Sequence, residues 1–274
     1  MTIITSLQNP RVKAATHLRD RRHREKQLRI LVDGARELCR ALDAGVRMVE
    51  VFVCEELCDS SSNRQLIAAL GGCGAEILHV NRPVFEKLAF GHRAEGVLGV
   101  AEMPQPKLDD IAIGENPLVA VLEGVEKPGN VGAVLRSADG AGLSALIVAD
   151  PATDLYNPNA IRASLGTIFT VPLCSAAGSD TLAWLRRQGL KICAARVDGS
   201  VPYTEVDYRG PTALVLGSEA DGLSPLWAAA DVTAVRLPML GVADSLNVSA
   251  AAAVLFYEAR RQRQPPSDAR RTTR

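Results

Sequence analysis

The residues best suited to chemistry fall in three polar segments, each of which follows a run of apolar residues. LVAVLEGV leads into KPGNVGAVLRSADGAG, which contains Asn130 and Arg136. TALVLG leads into SEADGLSP, which contains Glu219, and TAVRLPM leads into LGVADSLNVSAAAAVLFYEA, which contains Ser245 and Asn247. The last segment places four polar residues before an alanine-rich helix, more than a helix cap needs. Together the three segments provide amides, a hydroxyl, a carboxylate and a guanidinium.

Each segment also has a purely structural interpretation. Asn130 is a candidate N-cap of the helix that follows it. Arg136 lies in an otherwise small and apolar helix, where it either pairs with Asp139 or faces an open cleft. SEADGLSP alone is typical of a surface connection, and Asn247 alone of a helix cap.

The sequence lacks the motifs that are typical of several reaction classes. No GK[ST] follows the glycines, and GxGxxG is absent, which disfavours a P-loop and a dinucleotide site. All four histidines precede residue 93, so the second half has none for a Ser-His-Asp hydrolase. Cys54, Cys58, Cys73 and His79 have unusual spacing for zinc, and we interpret the cysteines as buried free thiols. We expect no metal, and group transfer from an activated donor fits what remains.

The apolar runs predict how these segments are positioned. The strands of the second half are unbroken apolar runs, which is typical of a parallel sheet covered on both faces. Ligands of such sheets bind at the C-terminal ends of the strands. We therefore predict an α/β fold in which all three polar segments lie at one sheet edge.

Composition and charge predict two domains. Residues 1–102 alternate strands and helices in a small α/β domain that begins with one basic helix, residues 103–117 form a proline-containing linker, and residues 118–274 form the parallel-sheet domain. The net charge is zero, but residues 1–30 carry +6 and residues 259–274 carry +5. Basic ends are either solvated termini or contacts to a polyanion such as nucleic acid. We expect neither a membrane span nor a secretory signal, and hence a cytoplasmic protein.

Taken together, the three segments resemble a known family. NVGAVLRSADGAG, LVLGSEADGLS and LPMLGVADSLNVSAAAAVLFYEA are similar, in order and spacing, to the three motifs of the SpoU (TrmH-like) RNA ribose 2′-O-methyltransferases of the SPOUT superfamily. ILVDGARELCRALDAG and FGHRAEGVLGVAE resemble the RNA-binding domain, similar to ribosomal protein L30e, that often precedes this catalytic domain.

The resemblance implies a trefoil-knotted domain that binds S-adenosylmethionine and works as a homodimer. It places the methyl donor against Gly217, Leu237, Met239 and Leu246. It assigns the polar active-site positions to Asn130, Arg136, Glu219, Ser245 and Asn247. The predicted RNA contacts are Arg19, Arg21, Arg22, Arg24, His92 and Arg93.

The implied reaction is methyl transfer to a ribose 2′-hydroxyl of RNA. Ribosomal RNA, most simply 23S, is favoured over transfer RNA because of the L30e-like domain. Transfer RNA methylation and a non-catalytic RNA-binding protein on the same scaffold remain alternatives. A nucleotide-binding oxidoreductase is disfavoured by the missing glycine fingerprint.

Overall fold

The computed structural model describes residues 2–58, 60–90 and 95–264. In chain order, the helices are α1 (Pro10–His17), α2 (Arg21–Gln27), α3 (Ala35–Asp43), α4 (Ser61–Gly72), α5 (Arg82–Leu88), α6 (Pro128–Ala141), α7 (Pro158–Ala163), α8 (Gly178–Arg187) and α9 (Val248–Arg263). The strands are β1 (Arg29–Asp33), β2 (Met48–Val53), β3 (Glu76–His79), β4 (Val97–Glu102), β5 (Leu118–Glu123), β6 (Ala145–Ala149), β7 (Leu173–Ala176), β8 (Lys191–Ala195), β9 (Val201–Pro202), β10 (Thr212–Leu216) and β11 (Val232–Arg236).

These elements form two compact units. The first comprises Met1–Gln105 and Asp154–Thr170, and the second comprises Pro106–Thr153 and Val171–Arg274. Residues 154–170, which include α7, therefore pack with the first unit, although the sequence pattern places them inside the second domain. An ion pair between Arg24 and Asp154 is one of the contacts that hold this segment in the first unit.

The first unit is built on a mixed sheet of four strands in the order β1-β4-β2-β3. β4 pairs antiparallel with β1 and β2, while β2 pairs parallel with β3. Helices α1 and α5 pack against this sheet in one hydrophobic cluster. Its buried residues include Val12, Ala15, Phe85 and Leu98. The prediction of a single basic helix at the N-terminus is wrong, because the structure has two helices there. The chain breaks between α1 and α2, where the Asp20 carboxylate accepts the Arg22 N–H and begins a new helix.

The second unit contains a seven-stranded sheet in the order β7-β6-β5-β10-β8-β11-β9. Every strand pair in it is parallel, as the unbroken apolar runs predict. All residues of β5, β6 and β10 are buried, because helices and loops cover both faces. The predicted linker is not a free connection, since Ile111 packs into the core of this unit beside Trp184 and Val119.

The C-terminal end of the last helix, α9, is fixed to this unit. The Arg263 guanidinium donates to the carbonyls of Tyr208, Asn116, Pro117 and Gly210 over 2.5–3.1 Å. The carbonyls of Tyr208, Asn116 and Gly210 lie outside the strands, and the Pro117 carbonyl also accepts the Thr212 N–H at 3.0 Å. The Arg263 bonds hold α9 in a defined position, and α9 begins at the candidate site.

Candidate functional site

The three polar segments meet at the C-terminal edge of the parallel sheet, as predicted. The β5–α6 loop provides Lys127, the loop after β10 provides Glu219, and the loop before α9 provides Asn247. Lys127 Nζ lies 2.9 Å from Glu219 Oε2, and the Asn247 amide nitrogen donates to Glu219 Oε1. The same Asn247 nitrogen lies 3.4 Å from Asn130 Oδ1. Glu219 therefore links the three loops.

Lys127 forms an ion pair with Glu219 in this group. Its ammonium holds the pKa of Glu219 below the usual range, and the Val248 backbone and the Asn130 amide act in the same direction. Glu219 in turn raises the pKa of Lys127. At neutral pH Glu219 is an anionic acceptor, and its protonation is disfavoured, so the arrangement suits positioning better than proton removal.

Sequence reasoning did not select Lys127, and it assigned Asn130 a cap that the structure gives to another residue. The N-cap of α6 is Lys127, whose side chain makes no capping bond, and Asn130 lies within the first turn. The available signal was the KPGN stretch, because proline is common at the first helical position and Lys127 immediately precedes Pro128. Asn247 does cap α9, since its Oδ1 accepts the Ser249 N–H at 3.0 Å.

A cavity of about 160 Å³ lies beside this group of loops. Its lining includes all four residues predicted to hold a methyl donor, namely Gly217, Leu237, Met239 and Leu246. Glu219 and Ser245 line it as well, so its lining combines apolar and polar side chains. Three apolar side chains together with a carboxylate and a hydroxyl fit a ligand with an apolar ring system and charged groups.

Gly217 keeps this cavity in shape through a close approach of two backbone segments. Ser218 and Gly222 exchange two backbone hydrogen bonds of 3.1 Å, which fold the loop after β10 into a tight turn. A Cβ at Gly217 would overlap the Gly222 carbonyl group and the Leu223 nitrogen. Only glycine allows this approach, so the turn that presents Glu219 depends on residue 217.

Arg136 lies apart from the Glu219 group. It is exposed on α6, six residues beyond Asn130, which corresponds to roughly 9 Å along a helix axis. Ser245 is also exposed, in the loop before α9. The structure thus brings Asn130, Glu219 and Asn247 into direct contact and leaves Arg136 on a neighbouring open surface.

The predicted RNA contacts on the first unit have different environments. Arg19 donates to the carbonyls of Lys87, Leu88 and Ala89 at the end of α5. Arg21 pairs with Glu25, and Arg22 is exposed. His92 and Arg93 lie outside the described residues.

Arg24 departs most clearly from the expectation of an RNA contact. Its side chain is 1% exposed and bonds the Asp154 carboxylate and the Leu18 carbonyl. A direct contact with RNA would require this ion pair to break, so we correct its role to a structural one. The cysteine interpretation is also corrected in part, because Cys54 is buried whereas Cys73 is exposed. Among the described residues, no group of three or more His, Cys, Asp or Glu side chains is arranged to hold a metal ion.

The comparison with known families now decides the assignment. The model of the SpoU rRNA Methylase family matches residues 117–257, just over half of the 274 residues and the whole of the three-loop site. The chain belongs to this family. The model of the MRM3-like substrate binding domain matches residues 9–99. The fold of SpoU methylases is a trefoil knot, and the α/β class predicted from the sequence is confirmed.

Individual relatives agree with the family. A 23S rRNA (uridine(2479)-2′-O)-methyltransferase of Streptomyces viridochromogenes is 37% identical over 61% of this chain, and the match spans 60% of that protein's length. A solved RNA 2′-O ribose methyltransferase is 41% identical, with a TM-score of 0.83 over 96% of this chain and 99% of its own. The AdoMet-bound rRNA methyltransferase of Sinorhizobium meliloti is 30% identical, with a TM-score of 0.88 over 96% and 99%. The described part of this SpoU chain contains no helix long and apolar enough to cross a membrane.

Proposed function

We propose that this SpoU chain transfers a methyl group from S-adenosylmethionine to a ribose 2′-hydroxyl of ribosomal RNA, most simply 23S RNA. The observation that carries the proposal is the contact of Glu219 with Asn247 and Lys127 beside the cavity lined by Gly217, Leu237 and Met239. Relatives whose names specify 23S or rRNA methylation support the choice of RNA. The relatives are rRNA methyltransferases, and we propose that this chain acts on its RNA in the cytoplasm.

The cavity fits the methyl donor by its chemistry. Leu237, Met239 and Leu246 offer apolar walls for an adenine ring, and Gly217 offers backbone that no side chain covers. When bound, S-adenosylmethionine supplies an activated methyl group on a positively charged sulfur. The protein then has to place a ribose hydroxyl in line with that methyl and exclude water, which can contribute about 7 kcal/mol or more in good cases.

We assign the polar residues by charge and position. Glu219, which is ion-paired with Lys127, orients the amides of Asn130 and Asn247 toward the reacting hydroxyl. Ser245 lines the cavity at the same edge and offers a hydroxyl to the donor or the ribose. A guanidinium is a positively charged donor with no acceptor, so we propose that Arg136 binds the adjacent phosphate and stabilises a developing alkoxide.

We propose that the two family matches correspond to two tasks. Residues 1–102 bind RNA, residues 103–117 connect, and residues 118–274 carry the methyltransferase site, in line with the substrate-binding and methylase models. Residues 154–170 are the exception, because they pack with the first unit. Arg21 and Arg22 are the described arm residues that we retain as RNA contacts.

We also propose that the chain acts as a homodimer. Leu240 and Val242, on the loop that lines the cavity, are fully exposed, and Tyr257 on α9 is 51% exposed. Exposure of large apolar side chains to water is unfavourable in free energy, and burial in a protein interface removes this exposure. Light scattering coupled to size-exclusion chromatography tests this point, and a monomer at micromolar concentration contradicts it.

The experiment that tests the reaction uses the purified full chain, methyl-labelled S-adenosylmethionine and deproteinised ribosomal RNA or bulk transfer RNA. We expect label in ribosomal RNA, recovered as a single 2′-O-methylated nucleotide after nuclease digestion. Label only in transfer RNA establishes the alternative substrate. Absence of transfer to either RNA, with intact RNA binding, supports a non-catalytic binding protein. Calorimetry with S-adenosylmethionine and with NAD distinguishes the donor from a dinucleotide.

A further inference from the structure

The first two helices of the first unit place two imidazole rings face to face. His17, at the end of α1, and His23, on α2, are stacked with their ring centroids 4.7 Å apart and an angle of 25° between the ring planes. His17 is exposed and His23 is partly buried. Both lie within the residues matched by the substrate-binding domain model. The His17–His23 pair therefore presents an aromatic surface to solvent on that domain, and no role described above uses it.

Buried contacts hold the two helices that carry this pair. Val12 and Ala15 pack α1 into the core of the unit. The Arg24 guanidinium donates to the Leu18 carbonyl at 2.5 Å and pairs with Asp154, so α2 is fixed against the end of α1. Side chains whose supporting backbone is already fixed lose less conformational entropy when a ligand binds to them, which favours binding.

An exposed lysine lies next to each of the two imidazoles. Lys13 precedes His17 by four residues on α1, and Lys26 follows His23 by three residues on α2. Residues at these spacings share a helix face, so each ammonium group is on the same side of its helix as one ring. In the part of the chain that the structure describes, neither lysine belongs to an ion pair. The stacked rings are thus flanked by two free cations.

The acidic residues of this segment do not neutralise that charge. Residues 13–27 contain six Lys and Arg residues and two acids, Asp20 and Glu25. Asp20 caps α2 by accepting the Arg22 N–H at 2.8 Å, and Glu25 pairs with Arg21. The surface around the stacked rings is therefore positive, and a positive surface favours a polyanion.

An aromatic pair between two ammonium groups matches single-stranded RNA. Unpaired bases stack on aromatic side chains, histidine among them, while basic side chains follow the phosphates. An anionic membrane surface would use the ammonium groups, but it offers no flat ring system to the imidazoles. The stacked pair therefore favours RNA as the partner of this surface.

We propose that an unpaired base of the bound RNA stacks on the His17–His23 pair. The ammonium groups of Lys13 and Lys26 contact the phosphates on either side of that base. The inference rests on the proposed function in taking RNA as the substrate, and it adds recognition of a base face to the arginine contacts already assigned in this segment. Every base has a π-face, so the pair selects unpaired RNA rather than one sequence.

The first test observes the imidazoles directly. The full chain contains four histidines, so proton–carbon correlation spectra of histidine-labelled protein give few ring signals, which single substitutions assign. The probes are an oligoadenylate and an abasic ribose-phosphate oligomer of equal length and charge. We expect saturating oligoadenylate to shift the His17 and His23 signals upfield through the ring current of the base, and the abasic oligomer to shift them much less. Unchanged signals with oligoadenylate, or shifts of equal size with both probes, overturn the proposal.

Three variants at His17 separate stacking from hydrogen bonding. His17→Ala should lower the affinity for fluorescein-labelled oligoadenylate, measured by anisotropy, by about fivefold or more, as loss of one stacked base does. His17→Phe keeps a ring and should bind within about twofold of the wild type. His17→Gln keeps a hydrogen-bond donor without a ring and should resemble His17→Ala. A folded His17→Phe protein as weak as His17→Ala, or His17→Gln as tight as the wild type, refutes stacking.

The lysine contacts are tested by salt titration. Lys13→Ala and Lys26→Ala should each lower the slope of log affinity against log salt by about 0.7, the value for one phosphate of a single strand. Lys107→Ala, exposed in the second unit, is the matched control and should keep the wild-type slope. Wild-type slopes in both Lys13→Ala and Lys26→Ala refute the phosphate contacts.

Methyl transfer to ribosomal RNA, measured on the same wild-type preparation, separates this inference from the proposed function. Transfer without the histidine shifts refutes the stacking proposal alone. Histidine shifts without transfer refute the proposed reaction and support the stacking proposal.

Discussion

Glu219 and Asn247, which lie 28 residues apart in the chain, are joined by a hydrogen bond from the Asn247 amide to the Glu219 carboxylate. The bond connects the loop after β10 to the residue that caps α9. Asn247 at the same time caps α9 and approaches Asn130 on α6. A single carboxylate thus fixes the relative position of the residues that we place around the reacting hydroxyl.

Loss of the Glu219 charge should impair catalysis more than stability. In Glu219→Gln the ion pair with Lys127 is lost, and one of the two carboxylate oxygens is replaced by an NH2 group, so only one acceptor remains for Asn130, Asn247 and Lys127. We expect the kcat for methyl transfer to fall about tenfold to a hundredfold, the range typical of a misplaced reacting group. The apparent melting temperature should change little, because an exposed ion pair contributes little to stability.

Two further variants make this prediction specific. Lys127→Met should also lower kcat, because the Glu219 carboxylate loses the ion pair that fixes its position. Asp221→Asn, in the same loop but exposed and outside the Glu219 group, serves as the control. Equal losses in Asp221→Asn and Glu219→Gln would assign the effect to the loop as a whole.

Arg136 should be needed for transfer but not for donor binding. We expect Arg136→Ala to lower kcat by roughly a hundredfold to a thousandfold, as removal of one charged or hydrogen-bonding stabiliser of an oxyanion does. The affinity for S-adenosylmethionine, measured by calorimetry, should stay within experimental error of the wild type. The exposed Arg187, which lies 3.8 Å from Asp109, provides a charge-matched control as Arg187→Ala. Near-normal turnover in Arg136→Ala would refute the assigned role.

Gly217 is the backbone position on which the cavity depends most. Gly217→Ala places a Cβ against the Gly222 carbonyl and the Leu223 nitrogen, so the turn after β10 has to move. We expect donor affinity to fall at least about tenfold, because both the cavity wall and the position of Glu219 change. Gly114→Ala, where a Cβ meets nothing within 4 Å, is the control. Calorimetric titration compares the two, and unchanged donor affinity in Gly217→Ala would separate this turn from donor binding.

Much of this site is predictable from sequence because its signals are local. Unbroken apolar runs predict parallel strands, and parallel strands place the loops containing Asn130, Glu219 and Asn247 at one edge. Lys127 was not predictable in the same way, because its role comes from a partner 92 residues away in the chain. The segment 154–170 was misassigned for a related reason, since a helix pattern fixes the helix α7 but not the unit on which it packs.

The basic N-terminal segment shows the same limit. Charge alone groups Arg22 with Arg24, and only the fold shows that one is exposed and the other buried against Asp154. The break between α1 and α2 depends on Asp20, which the sequence shows as one acid among many bases. Side-chain burial is a property of tertiary packing, and it separates structural arginines from those free to bind RNA.

Substitution of Arg24 should therefore lower stability, whereas substitution of Arg22 should weaken RNA binding. Arg24→Ala leaves the Asp154 carboxylate, 13% exposed, without its partner. Removal of one member of a buried pair costs about 3 kcal/mol or more, so urea denaturation should show a clear loss of stability. Arg22→Glu should leave stability nearly unchanged, weaken RNA binding, and lower the slope of log affinity against log salt by about 1. RNA affinity and salt slope equal to those of the wild type would remove Arg22 from the proposed surface.

The stability of the first unit should depend on pH through Asp33. Burial raises the pKa of Asp33 from 3.8 to about 6, and Glu95 and Glu37 add to this, while the Phe90 N–H and Arg162 oppose it. A carboxyl with a higher pKa in the folded state binds its proton more tightly when folded, so its ionisation favours unfolding. The cost is absent below about pH 4, grows as the pH rises through the interval between the two pKa values, and is complete above about pH 6. Its full size is about 3 kcal/mol at 1.36 kcal/mol per pKa unit.

Asp33→Asn removes this ionisation and keeps an acceptor for the Phe90 N–H. We expect the free energy of unfolding of Asp33→Asn, measured in urea, to rise relative to wild type by about 2–3 kcal/mol between pH 4 and pH 7.5. Asp43→Asn, exposed on α3, should show a difference from wild type that is nearly constant across this range. If the Asp33→Asn difference were also constant with pH, Asp33 would titrate at its ordinary pKa, and its carboxyl group would be better hydrated than the 8% exposure of the side chain implies.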